Sequence, residues 1–402
     1  MILKNLRIKN FRLFENLEFN RLGRINLLVG KNNSGKSTVL EALRIYAKVG
    51  SPKLLQELLK SHDEAGSSKG RFRFENFFPD NFSPTEEEKE PIIYIGNTDQ
   101  IDQDDYLTMK NTYFIMEEPS IADSGDEKSL LRRLLQRRKR EVNYQDVSKY
   151  DKVRQALKIE ARNSRLNQDI VRNQLDPPGI FNIWLDYRSF DEDDYEVGDD
   201  WLVEHNVTVP YCHVPSGLLP KAPLKAMWNK ISLTPYSKKV IEALQLINPK
   251  VEALAFIPID TSTEEVPFVN IGQDQPVPLS REGEGMLRLL QLVLSMINAK
   301  GGLLLIDEFE NGLHYGIQPR VWQLLIELAT QLNVQVFATT HDWDCVKSLQ
   351  QAVEEVSEQK PTEVFLFHLG RSIAVDDNRR VIATEYNGEE LRTATQAELE
   401  VR

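Results

Sequence analysis

The sequence predicts an α/β fold: a mostly parallel sheet carrying an antiparallel β subdomain and a helical insertion. Three observations predict it. Residues 30–37 form a glycine-containing turn between a strand pattern and a helix pattern. The apolar run Leu303-Leu304-Leu305-Ile306 ends in two carboxylates, Asp307-Glu308. The last third of the chain returns to strand–helix alternation after a long polar middle.

The elements follow in chain order. Residues Ile2–Phe11 and Leu17–Phe19 alternate apolar with polar, as half-buried strands do. Ile25–Val29 reads as a short buried strand, and the stretch from Thr38 to Gly50 as a helix. Between about 51 and 90 the chain is polar and rich in Phe, Pro and charge, so loops are expected there with a short helix over Pro52–Ser61. Pro91–Gly96 and Leu107–Met116 read as antiparallel strands separated by an acidic loop, Asp99–Asp105. From about 126 to 174 the pattern reads as helical: Leu130, Leu131, Leu134 and Leu135 line one side, and Arg133, Arg137 and Arg140 fall at i, i+4 and i+7 on another. Residues 177–223 hold a Pro-Pro pair and an acidic run, Asp191–Asp200, and read as irregular with short strands. Lys238–Leu246 is a helix by period, followed by strands over Val251–Ile259 and Val266–Ile271.

Met286–Ile297 is apolar nearly all round and predicts a buried helix, ended by Gly301-Gly302. Leu303–Ile306 then reads as a buried parallel strand. Pro319 opens a helix with Val321, Trp322, Leu325 and Leu328 inward, and Val334–Thr340 and Val364–Leu369 are strands. The two ends of the sheet lie far apart in sequence, so the middle is an insertion into one domain. The expected division is an N-terminal lobe over 1–120, a mainly helical or irregular insertion over 121–250, and a C-terminal lobe over 251–402. There is no internal repeat, and no heptad pattern long enough for coiled-coil arms.

Composition narrows the class. At 402 residues the chain is long enough for two to three domain-sized units. Mean hydropathy is −0.41, and no apolar run approaches the ~18 residues of a membrane span. The opening residues lack the uninterrupted apolar core of a signal peptide. Cys212 and Cys345 stand alone, which excludes a cysteine-built zinc site or disulfide framework and suits a reducing cytoplasm. The net charge of −12 argues against a protein living mainly on nucleic-acid contacts, while leaving room for a local basic strip. The one dense positive run is Arg132–Arg140. It reads either as the solvated face of a helix or as a contact for phosphates or an acidic partner.

Gly30-Lys31-Asn32-Asn33-Ser34-Gly35-Lys36-Ser37 matches G-x-x-x-x-G-K-[ST] in full, with Thr38 opening the helix. Strand, loop and helix occur in the order a phosphate loop needs. The glycines let successive N–H groups point at phosphates, and the helix N-terminus adds positive potential. Lys36 would neutralise the β- and γ-phosphates, and the Ser37 hydroxyl would take a position on Mg²⁺. Asp307 at a strand tip can hold the magnesium shell, and Glu308 is placed to polarise an attacking water. Thr339-Thr340-His341 follows the next strand, where His341 could meet the γ-phosphate or be an ordinary surface histidine. Leu279-Ser280-Arg281-Glu282-Gly283-Glu284-Gly285 leads into the buried helix. It offers free backbone donors for an anion, or is a plain helix cap.

In this order and spacing the phosphate loop, the Ser-plus-Gly stretch, Ile306-Asp307-Glu308, Glu310-Asn311-Gly312-Leu313-His314 and Thr340-His341 resemble an ABC-type ATPase. Leu6-Arg7-Ile8-Lys9-Asn10-Phe11-Arg12 resembles the start of SMC, RecF and OLD (overcoming-lysogenisation-defect) heads. Gly283–Arg288 and Asp307–His314 resemble the OLD-like branch of stand-alone bacterial AAA-type ATPases. The resemblance is clear over about 1–50 and 250–370. It implies a P-loop NTPase head that sandwiches two ATP molecules between two protomers. Ser280, Gly283 and Gly285 would face the ATP held by Lys36 of the other protomer, with Glu310–His314 as the cross-dimer loop. The signature is not LSGGQ, and Gln56 is a Q-loop candidate by position only. OLD nucleases carry a TOPRIM domain with an Asp-x-Asp pair; Asp376-Asp377 lacks that spacing, so any nuclease is expected on a separate polypeptide.

The resulting expectation is an ATP- and Mg²⁺-dependent ATPase that dimerises, or forms a higher oligomer, on ATP. It would gate a separate effector such as a TOPRIM-like nuclease in bacterial defence or DNA maintenance. Two rivals stand beside it: a RecF-like ATPase acting directly on DNA, and a switch or scaffold that binds ATP without turnover. No membrane association is expected.

Overall fold

The protein was analysed as a computed structural model that describes residues 3–64, 73–79, 91–98, 105–117, 138–142, 144–150, 153–162, 180–186, 208–258, 265–357, 363–372, 380–387, 390 and 392–393. It divides into two compact units made of discontinuous pieces. The first comprises 1–7, 16–47 and 209–402, the second 8–15 and 48–208.

The first unit is built on a six-stranded sheet. In chain order its strands are β3 (Ile25–Val29), β9 (Tyr211–Val214), β13 (Leu303–Ile306), β14 (Gln335–Thr339), β15 (Val364–Arg371) and β16 (Val381–Tyr386), and across the sheet they run β16-β15-β3-β14-β13-β9. Five of the six are parallel, and β16 adds an antiparallel edge. Every residue of β3, β13 and β14 is buried, which is why their sequences are nearly continuous apolar runs. Because the strands are parallel, their carboxyl ends share one edge, the usual place for a ligand in such sheets. The two side-chain amides within these strands are satisfied internally. Gln335 bonds the main chain of Leu3 and Gly23, and Asn26 bonds Gly23 and Val336.

Helices α1 (Lys36–Ala47), α3 (Lys221–Ile231), α4 (Tyr236–Leu244), α5 (Glu284–Asn298), α6 (Gln318–Gln331) and α7 (Trp343–Ser357) belong to the same unit. α5 is apolar on nearly every side because α3, α4, α6 and β9 all pack against it. A small antiparallel sheet, β10 (Ala253–Pro258), β11 (Glu265–Asn270) and β12 (Val277–Pro278), leads into it. α3 lies partly in a stretch that reads as irregular in sequence; its Pro223 falls in the first turn, where a missing N–H costs little.

The second unit holds α2 (Pro52–Ser61) and most of a seven-stranded sheet. Its order is β2-β1-β4-β5-β7-β8, with β6 also paired to β5. The ranges are β1 (Leu6–Phe11), β2 (Phe14–Phe19), β4 (Ile92–Gly96), β5 (Tyr106–Glu117), β6 (Arg138–Val142), β7 (Arg154–Arg162) and β8 (Ile180–Asp186). The expected antiparallel pair over 91–96 and 107–116 is β4–β5.

The helical reading of 126–174 is corrected here. Arg138–Val142 and Arg154–Arg162 are strands, antiparallel to β5. β7 is composed of good helix formers, but Ala156, Leu157, Ile159 and Ala161 are buried between β5 and β8, and pairing on both sides overrides propensity. Arg140 is therefore not on a helical face; it sits opposite Ile115 and donates to the Tyr150 hydroxyl at 2.9 Å. Leu130, Leu131, Arg133, Leu134, Leu135 and Arg137 lie outside the described residues. Among the described residues no helix is long and apolar enough to cross a membrane.

Candidate nucleotide-binding site

The loop after β3 is shaped by its glycines. Gly30 has φ of +146°, and a Cβ there would collide with the Leu369 carbonyl. Asn33 and Gly35 also have positive φ, +63° and +97°, so the chain curls before α1 begins at Lys36. Lys31, Asn32 and Asn33 are exposed, whereas the Ser34 Oγ is buried inside the curl with no hydrogen-bond partner. An unsatisfied buried hydroxyl inside a ring of turning N–H groups suits a polar guest.

Lys36 folds over this loop, donating to the carbonyls of Gly30 at 2.6 Å and Lys31 at 3.1 Å. Burial lowers its pKa, while the carboxylates of Asp307, Glu308 and Glu310 push the other way. Ser37 donates to both Asp307 oxygens, at 3.1 and 3.2 Å. Thr38, the last loop residue named from sequence, lies in the first turn of α1.

Asp307 is delivered by β13, which pairs with β14 so that Ile306 lies opposite Ala338. The next residue on β14, Thr339, donates its hydroxyl to Asp307 Oδ1 at 2.7 Å and accepts the Glu308 N–H at 2.8 Å. Glu308 takes a left-handed backbone, φ +47°, and Phe309 behind it stacks on Trp322 with ring centroids 3.8 Å apart. The Glu308 carboxylate is held by Asn311, whose amide donates to Oε2 at 2.6 Å and to the Ser216 carbonyl. His341 arrives from the end of β14. Its Nδ1 is 3.1 Å from Glu310 Oε1 and 3.7 Å from Glu308 Oε1. The structure thus brings Lys36, Ser37, Asp307, Glu308 and His341 to one edge of one sheet.

Arg288 lies beneath them and was not singled out from sequence. It is 1% exposed, and its guanidinium donates to the carbonyls of Asp307 (2.9 Å), Glu308 (2.7 Å) and Pro215 (2.6 Å). Burial brings its pKa down to about 10 against the pull of Glu310, Asp307 and Glu308. The legible signal was a single arginine in a helix apolar nearly all round. His213 on β9 is driven to about 3 by burial and by the Arg44 and Arg288 charges, so it is neutral near pH 7.

The Ser280–Gly285 stretch forms a 3₁₀ turn, Leu279–Glu282, that enters α5. Ser280 and Gly283 are exposed, and Gly283 has φ of +98° with open space where a side chain would stand. Gly285 differs. A Cβ there would stand 2.8 Å from the Gly312 carbonyl, so the chain's own packing already requires glycine and no phosphate need be invoked. Gln56 lies on α2, in the second unit.

Among the described residues no three His, Cys, Asp or Glu side chains cluster as a metal cage. A divalent ion at Ser37 and Asp307 would thus take its other oxygens from phosphate and water, as Mg²⁺ commonly does.

Residues 25–343 match a family described as "AAA domain, putative AbiEii toxin, Type IV TA system". The chain belongs to this family. It is 23% identical over 399 residues to a Helicobacter pylori protein described as an ATP/GTP phosphatase, covering 97% of each chain. It is 30% identical over 78 residues to the DNA replication and repair protein RecF of Bacillus mycoides, 19% of this chain and 21% of RecF. Among solved structures it is similar to an SMC head bound to the C-terminal winged-helix domain of ScpA, with 10% identity and a TM-score of 0.48 over 98% of this chain and all of that one. It is also similar to the SMC head of Thermotoga maritima, with 12% identity and a TM-score of 0.43 over 96% of this chain and 99% of that one.

Arg288 generates a prediction. Arg288→Ala strands three half-buried carbonyls and removes a fully buried side chain, and each acceptor left unsatisfied costs up to about 1–3 kcal/mol. Urea unfolding should show a loss of about 2–4 kcal/mol. Arg288→Lys should recover only part of it, because one ammonium cannot reproduce the planar fork. An unchanged midpoint for the alanine variant would show that the carbonyls find other donors.

Proposed function

We propose that this AAA-domain protein binds ATP with Mg²⁺ on the Gly30–Thr38 loop and hydrolyses it, with Glu308 as the base that orients the attacking water and His341 beside the γ-phosphate. The observation that carries this reading is one hydrogen-bonded chain: Ser37 donates to Asp307, and the Thr339 hydroxyl donates to Asp307 and accepts from the Glu308 N–H. Ser37 and Asp307 would hold Mg²⁺, which when bound supplies charge neutralisation at the phosphates. Lys36 would exchange its loop carbonyls for phosphate oxygens. Glu308 keeps one carboxylate oxygen bonded to Asn311 and the other turned toward His341, a restrained geometry suited to aligning a water.

The same reading includes an ATP-dependent homodimer, in which Ser280 and Gly283 of one protomer face the ATP held by Lys36 of the other. Its support is their exposure at the entry to α5, a helix buried throughout Arg288–Ile297. The cycle of closing and release would gate a separate effector, a TOPRIM-like nuclease in bacterial defence or DNA maintenance. That effector rests on the resemblance to OLD-type heads alone. The local likeness to RecF favours a second reading, direct action on DNA. Salt-sensitive binding of duplex DNA by the purified protein would select it.

Three outcomes test the proposal. Lys36→Ala should fold normally and lose ATP binding or turnover; wild-type hydrolysis by the folded variant would end the phosphate-loop assignment. Glu308→Gln should retain ATP affinity and lose phosphate release by about 10²-fold or more, the scale of a general base. Light scattering should then find it trapped as a closed dimer, whereas normal turnover would place the base elsewhere.

The third test is complementation. Ser280→Asp adds charge at an exposed position without touching the packing that constrains Gly285. It should bind ATP yet stay monomeric and inactive. Mixed with Lys36→Ala, it should regain partial activity, since one site of the mixed dimer pairs an intact loop with an intact Ser280. A Ser280→Asp monomer that hydrolyses ATP at the wild-type rate would sink the sandwich.

A further inference from the structure

The environment of the Glu310 side chain is unusual for a carboxylate. Its side chain is 8% exposed, against 39% for Glu308. Burying a carboxylate is costly unless it is paired and hydrogen-bonded. The two polar contacts of its carboxylate go to one residue. Oε1 accepts the His341 backbone N–H at 3.1 Å and stands 3.1 Å from His341 Nδ1. Its Oε2 is buried without a hydrogen-bond partner, as is the Nε of Arg288, whose charge interacts with Glu310 more strongly than with any other carboxylate.

We propose that Glu310 is the positioning residue for His341, clamping its backbone and ring together so that Nδ1 carries the proton and Nε2 is left for the nucleotide. A carboxylate only accepts, so a bond at Nδ1 requires the proton there. Glu308 is the poorer partner: it is 0.6 Å farther from Nδ1 (3.7 against 3.1 Å), and Asn311 already engages it. In the neutral ring Nε2 is then an acceptor. When the ring carries both protons, Nε2 donates to a γ-phosphate oxygen while Nδ1 stays on Glu310. A buried aspartate fixes the tautomer of the catalytic histidine in serine proteases by the same logic. The inference rests on the reading that His341 meets the γ-phosphate.

The test reads ring nitrogens directly. Long-range ¹H–¹⁵N spectra of histidine-labelled full-length protein, without nucleotide and above the titration range of histidine, report which nitrogen is protonated. His341→Asn assigns the signals. Wild type should show Nδ1–H at His341. Glu310→Gln, whose amide oxygen still accepts, should keep that signature and most of the turnover. Glu310→Ala should revert to Nε2–H, the form an unrestrained histidine favours. Its kcat should fall by about 10–100-fold, the usual cost of losing a partner that orients a functional histidine, with KM for ATP little changed.

An Nε2–H signature in the wild type would overturn the proposal without any variant. So would a Glu310→Ala protein that keeps Nδ1–H. Because the spectra need no ATP, they judge the Glu310–His341 pair separately. Failure of the wild type to hydrolyse ATP would instead overturn the proposed function.

Discussion

The hydroxyl of Thr339 is the point on which the site depends. One oxygen offers a donor and two acceptor positions, and here it donates to Asp307 while accepting from the Glu308 N–H. Those two bonds join the tips of adjacent strands and hold Glu308 in a left-handed backbone that costs roughly 1–2 kcal/mol for a residue with a Cβ. The Phe309 N–H to the Thr339 carbonyl, at 3.0 Å, and the stacking of Phe309 on Trp322 support the same turn. A one-residue slip between β13 and β14 would send Asp307 to the wrong face and leave the hydroxyl unused.

Electrostatics explains the cations around that turn. Asp307, Glu308 and Glu310 concentrate negative charge in a chain of net charge −12, where a triphosphate would be repelled. Lys36 on one side and Arg288 beneath both interact with all three carboxylates. Arg288 also satisfies backbone carbonyls on two segments, after β9 and after β13, so its helix and the acidic turn form one hydrogen-bonded body. Its removal therefore concerns packing as much as charge.

Much of the fold was legible because it is written in local chemistry. Fully buried parallel strands must be apolar, and Ile25–Val29 and Leu303–Ile306 match the structure residue for residue. Pro52–Ser61 was equally clear, with Ser51 as its cap and proline at its start. Reading failed where partners distant in sequence overrule propensity. Arg154–Arg162 has the composition of a helix and the burial pattern of a central strand, because β5 and β8 lie on either side. α7 and β16 were likewise absent from the sequence pattern as read.

By itself the sequence determined the phosphate loop, the strand that ends in carboxylates and the order of the motifs. Each of these needs only its own few residues: glycines for the curl, a helix N-terminus, an apolar run. Tertiary structure alone decided which polar atoms meet. Thr339 reaches Asp307 across 32 residues of sequence, Arg288 reaches the turn from α5, and Gly285 is held to glycine by the Gly312 carbonyl. It also decided that Glu310, not Glu308, lies nearest the His341 ring. The reason is physical: strand register and helix packing set distances of a few ångström between groups that no local pattern relates.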